Sequence, residues 1–140
     1  KFFITKVTVP RGVNKSIIND LDSNLIWKIL DNSRDLPIVV FTRSGAAIEK
    51  AKSINPSIRI ISFTDMKKTL KLSKFWSDVS CYYLKNFDNS KGNNFVFNII
   101  KKFKKEIFKN NNDAIVLYIS DPKPGSRANT VTVIRKKDFF

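Results

Sequence analysis

Five short apolar runs of strand length alternate along the chain with segments whose apolar residues recur at helical spacing, and this alternation restricts the fold more than any other feature. Ile38-Val39-Val40-Phe41, opened by Pro37, is continuously apolar and mostly β-branched, the pattern of a strand buried on both faces. Ile58 to Phe63, Val79 to Leu84 and Ala114 to Ile119 read as further strands, and Thr130 to Ile134 alternates as a fifth. A helix is predicted over 14–30, with Ile17, Ile18, Leu21, Leu25 and Ile29 on one face and Asn14 or Ser16 as its cap. A second fits Ala46 to Ile54, ending before Asn55-Pro56, and a third starts from Asp65 as cap and runs to about Phe75. A polar loop, Asn86 to Asn94, leads into a fourth that reaches about Lys109. The pattern predicts a three-layer α/β sandwich, a five-stranded and mostly parallel sheet with helices on both faces. The last connection, Ser120 to Asn129, has no helix, so the fifth strand should return antiparallel.

At 140 residues the chain is the size of one domain, able to bury about two thirds of the surface its unfolded form exposes. Residues 14–140 are expected to form it, and residues 1–13 to be a linker from a preceding domain. The start at Lys1, without methionine, suggests a piece of something longer, with any targeting segment upstream. The compartment, cytoplasmic or organellar, therefore stays open. With no histidine and a single cysteine, Cys81, neither a disulfide nor a Cys- or His-based metal site is expected. Cys81 lies in Ser80-Cys81-Tyr82-Tyr83-Leu84 without a base to activate it and reads as strand filler. No run approaches the roughly 18 apolar residues of a membrane span.

The formal net charge of +14 points first to nucleic acid or another polyanion. Yet residues 1–70 hold 12 Lys/Arg against 6 acids and residues 71–140 hold 14 against 6, so no basic tail stands out. In the densest run, 99–109, Ile99, Ile100, Phe103 and Ile107 continue a helical stripe begun by Val96 and leave the lysines on the wet face. Trp27 and Trp76 sit at helical packing positions rather than on a base-stacking platform. Nucleic acid is the weaker partner class.

A second feature is the passage from the first strand to the next helix through Thr42-Arg43-Ser44-Gly45. A turn needs a glycine and a helix needs a hydroxyl cap. Hydroxyls and amides gathered at a helix N-terminus also bind anions. In open α/β sheets ligands bind beyond the C-terminal ends of the strands, where successive connections go to opposite sides. If strands two and three build outward on one side and four and five on the other, the Thr42 to Ala46 turn and the Ser120 to Asn129 loop face one cleft.

These residues resemble the C-terminal domain of pyruvate kinase. "PIVVFTRSGAAIEKAKSINPSIRIISFT" is similar to that domain's first strand, phosphate-binding turn, helix and second strand, and "DAIVLYISDPKPGSRANTVTVI" to its last two strands with the effector loop between them. The resemblance runs from about Ser16 to Ile134. It implies a domain that binds a phosphorylated effector and joins subunits of a homotetramer, partly through its last strand. Thr42, Arg43, Ser44, Gly45 and Ala46 would hold an effector phosphate, and Lys123, Gly125, Ser126, Arg127 and Asn129 would belong to the effector loop. Phosphoryl transfer from phosphoenolpyruvate to ADP, with Mg²⁺ and a monovalent cation such as K⁺, would belong to a barrel absent from this chain, so the domain alone carries no catalytic residues and needs no cofactor. Two departures argue against fructose 1,6-bisphosphate as effector. Ala46-Ala47 stands where members that use it continue with hydroxyls, and Asn86 to Asn94 offers Lys91 alone where they place a Trp and an Arg.

Overall fold

The structure, a computed structural model, describes residues 7–8, 28, 31–32, 35–85, 92–118 and 130–140. Its strands are β1 (Val7–Thr8), β2 (Ile38–Phe41), β3 (Ile60–Thr64), β4 (Val79–Tyr83), β5 (Asp113–Tyr118) and β6 (Thr130–Arg135). Helices α1 (Ala46–Ile54), α2 (Lys67–Leu72), α3 (Gly92–Lys102) and α4 (Lys104–Ile107) lie between them. Most of the helix predicted over 14–30 is outside the described residues, although Lys28, Asp31 and Asn32 have helical backbone.

The sheet runs β1-β6-β5-β2-β3-β4. β5, β2, β3 and β4 are parallel and β6 pairs antiparallel with β5, which is the predicted five-stranded arrangement. Right-handed crossovers put the helices of steps taken in opposite directions on opposite faces. The core divides accordingly. Ile38, Val40, Ile60, Ile115 and Leu117 face α1 through Ile48 and Ala51, while Val39, Phe41, Ile61, Phe63 and Val116 face α3 and α4 through Val96, Ile100 and Ile107. All four residues of β2 are buried, so each contributes to one of two separate cores. That is why the run carries no polar alternation. Burying each such side chain stabilises by about 1.5–3 kcal/mol relative to leaving it exposed.

Three expectations are corrected. The last strand is not the outermost one at its start, because Val7 and Thr8 pair antiparallel with Val131 and Thr130. A two-residue stretch carries too little pattern to announce a strand, and its place is set by the β6 edge it covers. The lysine-faced helix does not run unbroken, since Phe103 departs from helical geometry at φ −108°, ψ 14° between α3 and α4. Its ring is engaged by the sheet, with centroids 4.9 Å from Phe63 and 4.7 Å from Tyr82. Asp65 does not cap α2. Met66 occupies that position without a side-chain cap bond, its amide donates to Thr64 Oγ1 at 3.1 Å, and Asp65 pairs with Arg43 instead.

Two polar anchors tie helices to the sheet or to the loop that enters it. Lys52 Nζ, on α1, donates to the Ile58 carbonyl at 2.7 Å and the Pro56 carbonyl at 3.3 Å, and its pKa is lowered by burial. Glu106, on α4, accepts a hydrogen bond from the Tyr82 hydroxyl and pairs with Arg59 Nη2 at 3.3 Å. That bond to a carboxylate, aided by burial, pushes the Tyr82 phenol up to about 12. Cys81 is a free, half-buried thiol on β4.

Candidate functional site

β2 lies beside β5, in the register Val39↔Val116 and Val40↔Leu117. From β2 the chain leaves toward β3 on one side, and from β5 it leaves toward β6 on the other. This is a switch point, and the turn Thr42 to Ala46 stands at its C-terminal end.

The turn is built by its own hydroxyls. The Gly45 amide donates to Thr42 Oγ1 at 3.2 Å, and the Ala46 amide to Ser44 Oγ at 3.3 Å. Gly45 sits at φ 85°, ψ 1°, in the left-handed region, and caps α1 through its carbonyl, which accepts from the Ile48 and Glu49 amides at 3.1 Å. A side chain there would be strained by the backbone alone. The space around it is also occupied, since an added Cβ would lie 3.4 Å from Thr69 Cγ2 and 3.7 Å from Trp76 Cη2. Trp76 thus works as packing under the turn.

Two further groups define the turn, and neither was singled out from the sequence. The hydroxyls of Thr64, at the end of β3, and Thr69, on α2, both donate to the Arg43 carbonyl, Thr64 at 3.3 Å. They pin the loop from the neighbouring crossover, across separations of 21 and 26 residues that no local pattern reveals. Asp65 Oδ2 lies 3.3 Å from Arg43 Nε, on a guanidinium side chain that is 56% exposed. The other oxygen of Asp65, Oδ1, is buried and has no hydrogen-bond partner among the described residues.

A hydroxyl that accepts one amide bond still has its proton to donate. Thr42 and the exposed Ser44 can therefore each donate to an oxyanion while keeping the turn closed. Of the amides at the start of α1, those of Gly45, Ala46 and Ile48 are taken by the turn, which leaves Ala47's at the positive end of the helix. Of the residues named from the sequence, Thr42, Arg43, Ser44, Gly45 and Ala46 come together here. Lys91 and the loop residues Lys123, Gly125, Ser126, Arg127 and Asn129 lie outside the described residues. A different concavity, of about 280 Å³ and lined in part by Asp35, Arg59, Glu106 and Asn111, opens at the opposite ends of the strands. Among the described residues no three His, Cys, Asp or Glu side chains are grouped to hold a metal ion, and no helix is long and apolar enough to cross a membrane.

The strand order and the helices on both faces define an α/β domain of the open, doubly wound kind. The family model described as pyruvate kinase, alpha/beta domain, matches residues 34–134, and the chain belongs to that family. Among solved structures it is similar to Cryptosporidium parvum pyruvate kinase, with 17% identity and a TM-score of 0.59 over 90% of this chain and 23% of that one. The same organism's enzyme in complex with ADP gives 18% identity and a TM-score of 0.61, over 91% of this chain and 25% of that one. This chain thus spans about a quarter of the length of the structures it matches. A search among curated proteins by sequence finds no relative.

Proposed function

We propose that this domain binds a phosphorylated effector and contributes to subunit assembly in a pyruvate kinase. A barrel outside this chain would perform the transfer from phosphoenolpyruvate to ADP, with Mg²⁺ and K⁺. The observation that supports the effector reading is the Thr42 to Ala46 turn, which gathers the Thr42 and Ser44 hydroxyls at a helix start beside the switch point. The loop leaving β5, with Lys123, Gly125, Ser126, Arg127 and Asn129, would close the second wall, because β5 ends beside β2. Assembly through β6 would use the outer edge from Thr132 to Arg135, beyond the two residues that β1 covers.

Magnitudes bound the affinity. A helix N-terminus favours an anion by about 0.3–1 kcal/mol, and each charge-assisted hydrogen bond adds about 1.5–3 kcal/mol. Association costs roughly 4 kcal/mol or more, so a lone phosphate should bind on the order of millimolar. A sugar phosphate that also reaches the second wall should bind more tightly. Ala46 and Ala47 offer no hydroxyl to a second phosphate, which favours a monophosphate over fructose 1,6-bisphosphate.

Calorimetric titration with phosphate, glucose 6-phosphate, AMP and fructose 1,6-bisphosphate tests the reading. Saturable binding that Ser44→Ala weakens severalfold is expected. If none of the four binds, and Ser44→Ala changes only thermal stability, the turn is structural. Binding of an oligonucleotide with a log–log salt slope near −0.9 per phosphate neutralised would instead favour a polyanion module.

A further inference from the structure

The edge of the sheet opposite β6 has a composition that neither effector binding nor β6-mediated assembly uses. β4 is the terminal strand of the sheet, and among the described residues it pairs with β3 alone. The Ile60 amide donates to the Asp78 carbonyl at 2.9 Å, and the Leu84 amide to the Thr64 carbonyl at 2.8 Å. In a parallel ladder the residues bonded to a neighbour alternate with those facing away. Asp78, Ser80, Tyr82 and Leu84 therefore turn toward β3, and the amides and carbonyls of Val79, Cys81 and Tyr83 turn outward.

Natural sheets blunt such an edge with lysine, proline or a bulge on the strand itself. β4 reads VSCYY and carries no charge and no proline. Its surroundings are apolar and basic together. α2 and the 3₁₀ turn Ser73–Phe75 pack beside it, and Phe75 is 86% exposed, with Met66, Leu72 and Tyr83 also exposed. Lys67, Lys68, Lys71 and Lys74 are exposed on the same segment, with Lys67 Nζ 5.9 Å from the Tyr83 ring centroid. The acids of the segment are Asp65, held by Arg43, and Asp78 at the entry to β4.

We infer that the outer edge of β4 takes an extended, acidic segment of a partner protein, added to the sheet as a further strand with its apolar side chains against Phe75, Leu72 and Tyr83. Outward amides and carbonyls call for a polypeptide backbone, which a lipid surface or a small anion does not supply. The lysines select the charge of the partner. A second copy of this chain would bring the same four lysines toward each other, so like charge disfavours pairing of two identical edges.

The test uses the whole chain and a fluorescein-labelled octapeptide alternating valine and glutamate. Saturable binding by anisotropy is expected, with slowed amide exchange at Val79, Cys81 and Tyr83, and no binding of the same peptide with lysine for glutamate. Cys81→Pro deletes an outward amide without touching the β3 ladder, and Lys71→Glu with Lys74→Glu reverses surface charge. Each should weaken binding at least tenfold. If Cys81→Pro does not fold, as judged by its melting transition, the charge-reversed variant decides. No saturation at millimolar peptide, unchanged affinity in the variants, or protection at other amides overturns the inference. So does binding of phosphatidylserine vesicles in place of the peptide, which would make the lysines and Phe75 a lipid-facing surface.

Discussion

Replacing Gly45 with alanine tests the geometry of the candidate site without reference to any ligand. Gly45 is held at φ 85°, ψ 1°, and a left-handed backbone costs an L-residue with a side chain about 1–2 kcal/mol. The added Cβ would meet Thr69 Cγ2 at 3.4 Å and Trp76 Cη2 at 3.7 Å, which are contact distances rather than a collision. Backbone strain is therefore the main cost, and Gly45→Ala should destabilise by about 1–2 kcal/mol. For a domain of this size that is a fall in Tm of roughly 3–6 °C, read by calorimetry, with a matching drop in the urea midpoint at unchanged slope. Gly45→Asn should cost distinctly less, because asparagine tolerates the left-handed region. If φ were negative here, alanine would stabilise by about 0.4–1 kcal/mol through the unfolded state. An alanine variant as stable as the parent, or alanine and asparagine variants that behave alike, would refute the turn geometry.

Asp65→Asn should strengthen phosphate binding severalfold, since it leaves the Arg43 guanidinium without its carboxylate, and should change stability by no more than about 1 kcal/mol; unchanged affinity in calorimetry would show that Arg43 does not face the anion. The Tyr82 phenol is raised by Glu106, so its neutral form is favoured in the fold. The stability this gives is fully present below the ordinary tyrosine pKa near 10 and is lost as pH rises toward about 12. Denaturation across that range should show a steeper loss for the parent than for Tyr82→Phe, and spectrophotometric titration should lose its highest-pH phenol in the variant. The domain alone should form no pyruvate from phosphoenolpyruvate and ADP with Mg²⁺ present, and turnover that survives repurification would contradict this. Sedimentation at rising concentration should show weak dimerisation if the Thr132 to Arg135 edge pairs across a two-fold axis, and a monomer at millimolar concentration would count against that part of the function.

The strands were legible because β2, β3 and β5 are buried on two faces, which demands continuous apolar runs such as Ile38 to Phe41 and Ala114 to Leu117 that few other structures use. Their order entered the sequence reading only as a condition, and the paired strands supply it. The turn at Thr42 to Ala46 was legible for the same local reason, since its glycine and its two hydroxyls bond within three residues of themselves. What the tertiary structure decided is everything that depends on separation in sequence. Phe103 keeps its place on the apolar stripe but interrupts the helix backbone, its ring packed on Phe63 and Tyr82. Asp65, by local pattern a cap, is drawn to Arg43, and Thr64 and Thr69 reach the Arg43 carbonyl from a different crossover. Local pattern records which face a residue must bury. Only the packed sheet brings together polar groups tens of residues apart, where burial makes an unpaired carbonyl or carboxylate costly and so selects its partner.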